Sequence, residues 1–178
     1  MKNIIIVVIL LMIVIVSYIF ITNYYINYNK IEIIFIECID GDTAWFNVND
    51  KKEKVRFLGI DTPESVHPNG IIEDYGKEAS EYTCKLLKNA NNIYIEYDIN
   101  SDRYDKYGRL LGWIFVDNNN LSELLLSKGY AEVNYIYDNY KYINNLCMAQ
   151  KDAYEDRLGI WNNNLNKYKD NHCFKNNY

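Results

Sequence analysis

Three short segments concentrate charge in patterns that could do chemistry. Asp40-Gly41-Asp42-Thr43 sets two carboxylates around a glycine. Arg56 to Glu64 ends in Asp61-Thr62-Pro63-Glu64, and Asp105-Lys106-Tyr107-Gly108-Arg109 brings a second arginine. If Asp42, Asp61 and Glu64 converge, each pair of carboxylates repels by about 4 kcal/mol at roughly 4 Å and an effective dielectric near 20. Such a cluster calls for a cation. With oxygen ligands only, and no His or Cys in these segments, hard-cation logic points to Ca²⁺ or Mg²⁺, and an irregular set of carboxylates, a carbonyl and waters suits Ca²⁺ better. Arg56 and Arg109 stay charged at any working pH, and the forked guanidinium matches a phosphate at two points. Two arginines beside a carboxylate-held cation make a site for one phosphodiester. Each segment alone also has a plain reading: Asx turns around Gly41, a solvated turn at Asp61 to Glu64, and arginines paired with surface acids.

The flanking pattern says which elements must carry these groups. Arg56 to Ile60 alternates as a strand, and Pro63 cannot donate to a ladder, so the strand ends where the carboxylates begin. Ile33 to Ile39 reads as a first strand and Ala44 to Val48 as a second, with Asn49-Asp50-Lys51 turning into the strand Val55 to Ile60. Thr62 to Asp74 is a loop holding both prolines and Gly70. A helix follows from Lys77 to Asn89, with Ala79, Tyr82, Leu86 and Leu87 on one face. Ile93 to Asp98 and Leu110 to Val116 are the fourth and fifth strands. A short helix groups Leu121, Leu124 and Leu125 and ends at Gly129. The last helix, Tyr142 to Leu158, shows Ile143, Leu146, Cys147, Gln150, Ala153 and Tyr154 as a core stripe. The count and order predict an α+β protein: a five-stranded OB-fold β-barrel with three helices, preceded by an amino-terminal hydrophobic helix.

At 178 residues the chain has room for one ordinary domain plus extensions. A net charge of -5 argues against an indiscriminate basic coat for nucleic acid, but not against an enzyme that holds its cations locally. Tyrosine is so frequent, at 18 residues, that no single surface Tyr carries functional weight by its type. Cys38, Cys84, Cys147 and Cys173 lack C-x-x-C spacing, which disfavours a zinc site; unpaired, mostly buried thiols are the preferred reading, with pairing open if the domain is exported. His67 and His172 are too far apart in sequence and too poorly accompanied to form a metal pair.

Ile4 to Ile21 is apolar except for Ser17, and as helix would span about 27 Å, close to a bilayer core. With no A-x-A cleavage pattern, an uncleaved membrane anchor is expected over residues 4–21, with secretion after signal cleavage as the alternative. Lys2 ahead of the run favours a cytoplasmic amino terminus and an extracytoplasmic domain. The expected organisation is anchor or signal over 1–22, spacer over 23–32, barrel domain over 33–161 and a polar, frayed tail over 162–178.

From Phe35 to Trp161 the chain resembles the thermonucleases, the staphylococcal nuclease-like family. The resemblance rests on D-G-D-T, on R-x-x-x-x-D-T-P-E from Arg56 to Glu64, on H-P at His67, on Y-G-x-E-A-S from Tyr75 to Ser80, and on D-K-Y-G-R, all in order. It implies an OB-fold nuclease that needs Ca²⁺ and hydrolyses DNA and RNA, with no obligate protein partner. It implies that Asp42, Asp61 and the Thr62 carbonyl hold calcium, that Glu64 is the general base, and that Arg56 and Arg109 clamp phosphate. Lys106, Tyr107 and Tyr135 are implied as nucleotide contacts. The alternative is a membrane-tethered OB-fold module that binds nucleic acid without cutting it. Two departures stand out, the acidic net charge and the amino-terminal apolar run.

Overall fold

The computed structural model describes residues 8–18, 30–65, 73–162 and 172–175. The chain divides into two units, Met1–Lys30 and Ile31–Tyr178. In the first, residues 8–18 form helix α1. No helix among the described residues is long and apolar enough to cross a membrane. The rest of the expected anchor, most of the expected spacer, and the loop positions His67, Pro68 and Gly70 lie outside the described residues.

The second unit is built on a sheet. Its strands are β1 (Lys30–Glu32), β2 (Ile34–Asp40), β3 (Thr43–Val48), β4 (Lys51–Phe57), β5 (Ile60–Asp61), β6 (Ile93–Glu96), β7 (Leu110–Val116), β8 (Asn119–Asn120) and β9 (Glu132–Val133). The main sheet runs β1-β6-β7-β4-β3-β2, with β8 added on β7, and β5 pairs separately with β9. Most pairings are antiparallel, but β4 and β7 run parallel, with Arg56 opposite Leu111. The helices are α2 (Gly76–Asn89), α3 (Leu121–Ser127), α4 (Ile143–Glu155) and α5 (His172–Lys175). The α+β class matches the sequence expectation, and four of the five longer strands lie where it put them; β4 starts and stops earlier than expected, and β1, β8 and β9 are short additions.

Alternation explains the two faces. On β3, Ala44, Phe46 and Val48 enter the core, and on β4 Val55 and Phe57 do, together with Ile95, Trp113 and Leu146. The β3–β4 turn fits the sequence reading, since Asn49 and Asp50 both take positive φ, 49° and 63°, as a tight hairpin demands. The expected strand Val55 to Ile60 instead breaks after Phe57. Gly59 adopts φ 76°, and a Cβ there would meet Leu146 Cδ1 at 2.7 Å, so the chain turns at a point only glycine can occupy. Ile60 and Asp61 resume as β5 on a different partner, Val133 and Glu132.

The cysteines correct the sequence expectation: Cys38 pairs with Cys84 and Cys147 with Cys173, leaving none free. The first bond ties β2 to α2, and the second ties α4 to α5. The expected frayed tail is therefore ordered at α5, where Cys173 is buried and the Phe174 ring lies 4.8 Å from that of Tyr154. A disulfide removes entropy from the unfolded chain, and the Cys147–Cys173 bond spans 26 residues of sequence. The double substitution Cys147→Ser, Cys173→Ser is expected to lower the free energy of unfolding by roughly 3 kcal/mol. Urea denaturation checks this, and an unchanged midpoint would show that the bond contributes nothing.

Candidate active site

One carboxylate knots the β2–β3 corner to the chain after β5. Asp42, 6% exposed, accepts on Oδ2 from Arg56 Nη1 at 2.9 Å, from Thr62 N at 3.1 Å and from Thr62 Oγ1 at 3.2 Å. Its Oδ1 accepts from Thr43 Oγ1 at 2.8 Å. Only a residue without Cβ allows this approach, because a Cβ on Gly41 would lie 2.7 Å from Thr62 Oγ1. The corner is braced from both sides: Thr83 Oγ1 on α2 donates to the Gly41 carbonyl at 2.6 Å, and Phe57 N to the Asp42 carbonyl at 2.9 Å.

Arg56 is buried at 7% exposure and held through both terminal nitrogens. Nη1 donates to the Ile60 carbonyl at 2.9 Å as well as to Asp42, and Nη2 donates to Asp61 Oδ1 at 2.9 Å. The counter-charge that sequence reasoning assigned to a metal alone is thus supplied in part by a guanidinium. It does not suffice. Burial first, then the charges of Asp42 and Glu73, push Asp61 up to about 6 against the opposing pull of Arg56 and Tyr135. Burial first, then a hydrogen bond and charge from Asp40, with Asp42 and Asp61 behind it, push Glu64 up to about 7. One cation among this many carboxylates leaves an affinity for further positive charge, whether proton or metal ion.

The donor chemistry fits a hard cation. Asp42, Asp61 and the Thr62 carbonyl offer oxygen alone, in keeping with Ca²⁺ or Mg²⁺. Among the described residues no three His, Cys, Asp or Glu side chains gather as a metal-holding group, so an ion here would draw on carbonyl and water oxygens too.

Arg109 arrives from the turn before β7. Asp105 shapes that turn, accepting from Tyr107 N and Arg109 N at 2.9 Å each on Oδ1, and from Arg109 Nε at 2.6 Å on Oδ2. Burial pushes the Asp105 carboxyl up, but these bonds and the Arg109 charge outweigh it and hold the group below its ordinary value. Arg56 and Arg109 line one cavity of about 620 Å³, together with Lys106, Tyr107, Tyr135 and Tyr137. The Tyr107 ring stacks within 5.4 Å of the Arg109 guanidinium, and the Tyr135 ring within 5.5 Å of that of Arg56.

Tyr135 is held from both ends of its segment. Before it, Val133 N donates to the buried Gln150 Oε1 at 2.6 Å, and Asn134 N to the Gly59 carbonyl at 3.1 Å. After it, buried Asp98 accepts from Lys141 N at 2.8 Å and Trp113 Nε1 at 2.9 Å, while buried Glu96 accepts from Tyr142 OH at 2.7 Å and from Lys141 Nζ. Gln150, read from sequence as part of a core stripe, is thus also a backbone anchor.

The structure therefore brings Asp42, Arg56, Asp61 and Thr62 into one bonded group, sets Glu64 within the field of that group, and places Lys106, Tyr107, Arg109 and Tyr135 around the adjoining cavity with Arg56. Sequence reasoning missed Asp40 and Glu73 as charges acting on the site, and Tyr137 as a wall of the cavity. Asp40 was visible only as a turn residue, a role it also fills by accepting from Gly41 N at 2.8 Å. Nothing in the local sequence marks Glu73 or singles out Tyr137 among so many tyrosines.

A fold of this type with this site defines a class, and comparison with known proteins gives the same one. Residues 54–163 match the family model described as staphylococcal nuclease homologue. Over 132 residues the chain is 40% identical to Endonuclease YncB of Bacillus subtilis (strain 168), covering 74% of this chain and 62% of that protein. It is 38% identical to the SPbeta prophage-derived endonuclease YokF of the same organism, over 75% of this chain and 45% of that one. It is 36% identical to the Thermonuclease of Staphylococcus hyicus, over 77% of this chain and 79% of that one. The chain thus spans less than two thirds of the two Bacillus relatives. It belongs to the staphylococcal nuclease homologue family.

The raised groups make a signed prediction. Folded Asp61 and Glu64 bind protons more tightly than their ordinary values of 3.8 and 4.5 allow. Their contribution to stability is fully present below about pH 4 and is lost as pH rises through about 6 to 7. In chelator, the fall in Tm contributed by these groups between about pH 5 and 7.5 is expected to shrink in the double variant Asp61→Asn, Glu64→Gln. Identical pH profiles for parent and variant would refute the assignment.

Proposed function

We propose that this chain is a Ca²⁺-dependent nuclease that hydrolyses phosphodiester bonds of DNA and RNA. The observation that carries the reading is the cavity lined by both Arg56 and Arg109, in which Arg56 is bonded to Asp42 and Asp61 and Glu64 lies within the field of those carboxylates. Family membership supports the reaction class.

The roles follow from the chemistry of each group. Glu64, raised toward neutrality, is a stronger base than an ordinary carboxylate and takes the proton of a water attacking phosphorus. Negative charge then grows on the phosphoryl oxygens. Arg109, its Nε held by Asp105, has its terminal nitrogens for those oxygens, and Arg56 meets the same charge from its fixed place against Asp42 and Asp61. Tyr107 and Tyr135 offer ring faces to the nucleotide, with Lys106 as a further cation. Asp42, Asp61 and the Thr62 carbonyl would hold Ca²⁺, which supplies the positive charge that draws electron density from phosphorus and acidifies water.

We further infer an extracytoplasmic domain tethered by the apolar run over residues 4–21. Support comes from the pairing of all four cysteines, which an oxidising compartment favours.

Plasmid nicking and cleavage of single-stranded DNA and RNA in Ca²⁺, Mg²⁺ or chelator tests the activity. Cleavage is expected in Ca²⁺, falling by about 100-fold or more in Glu64→Ala, Arg56→Ala and Arg109→Ala. Undiminished turnover in excess chelator would refute the metal assignment. Binding without cleavage in every metal would replace the enzyme by a binding module.

A further inference from the structure

The side of the β2-β3-β4 sheet facing away from the core carries a pattern that runs beyond the site. On β4 the residues alternating with core Val55 and Phe57 are Lys52, Lys54 and Arg56, three cations in line leading up to the cavity. Directly opposite them on β3 stand Asn47, Trp45 and Thr43. Trp45 is thus held on the outward face, half-buried, with Lys52 Nζ 4.8 Å from its ring. One step along the parallel register, Lys54 lies alongside Arg109. Lys54 makes no ion pair among the described residues, and Lys52 has only an exposed partner, Glu37 at 3.3 Å. Such an exposed pair is worth little and yields readily to an incoming anion.

We propose that this face is a binding track for the nucleic-acid strand flanking the cleaved phosphodiester, with Trp45 stacking on a base and Lys52 and Lys54 contacting successive phosphates. The inference rests on the nuclease reading and extends it from the reacting group to the strand around it. Three features select a single strand as occupant. The cations continue the line of Arg56 without interruption; they repeat every second strand residue, about 6.8 Å; and an aromatic face lies between them. A groove of cations with an aromatic platform binds single strands with little sequence preference. The track also fits the composition, because an acidic chain needs its cations where the polyanion lies.

Trp45 supplies its own probe, since Trp113 and Trp161, the other two tryptophans, are fully buried. In a Glu64→Ala background, which holds a strand without cutting it, an oligodeoxynucleotide of about 12 nucleotides is expected to quench tryptophan fluorescence, and a dinucleotide is not. Trp45→Phe should abolish the quenching, and Trp45→Ala should weaken oligonucleotide affinity roughly 5- to 100-fold. Lys52→Ala with Lys54→Ala should reduce the slope of log affinity against log salt by about 1.4. In the cutting enzyme, the same substitutions should raise KM for the long strand more than for a dinucleotide-length substrate. If the parent cuts long strands and all these variants keep its oligonucleotide affinity, salt slope and KM, the track is refuted and the nuclease reading stands. If the parent cuts no substrate, the nuclease reading fails and the track with it.

Discussion

The site depends on sharing one buried guanidinium between two carboxylates. Arg56 touches Asp42, Asp61 and the Ile60 carbonyl at once, and so joins the β2–β3 corner to β5. Removing either kind of partner would strand a charge away from water, at a cost far above that of a surface pair. The rest of the corner follows from this demand. Gly41 allows Thr62 to close on Asp42, Thr83 anchors the Gly41 carbonyl, and the Cys38–Cys84 bond ties the same strand to the same helix.

On the proposed function, the guanidinium also accounts for how an acidic chain could take a polyanion. It neutralises part of a carboxylate cluster without saturating it, so Asp61 and Glu64 remain hungry for positive charge. A phosphate bound alone would meet those carboxylates as like charges; bound with a cation, it would not. Net charge is therefore a poor guide to what such a site can hold.

Much of this was legible before any coordinates. Alternation marked β6 and a continuous apolar run marked β7, and the three charged segments were recognisable from residue type and spacing. What escaped had a physical reason in each case. Alternation runs straight through Phe57-Leu58-Gly59-Ile60, so only the contact between Gly59 and Leu146 shows that the strand must break. Spacing put Arg56 near Asp61 but could not say that their side chains bond, so the share of counter-charge that the guanidinium supplies went to a metal as well. Four cysteines admit several pairings, and the choice between thiols and bonds rests on long-range neighbours such as α2 against β2. Tyr107 and Tyr135 came from the family resemblance, while Tyr137 vanished into a composition full of tyrosines.

The parallel pairing of β4 with β7 acts as a ruler. Arg56 is opposite Leu111, so Arg109 sits one strand over and two residues back. On ordinary sheet spacings the two backbones are about 8 Å apart at these positions. That gap is set by a hydrogen-bonded ladder and not by the loop that delivers Arg109, so the loop can change length or composition without altering it. A slip of one residue in the ladder, by contrast, would turn one arginine to the opposite face of the sheet. The spacing of the two guanidinium groups is thus a property of the sheet's register, inherited with the barrel, while the chemistry of the loops remains free to vary around it.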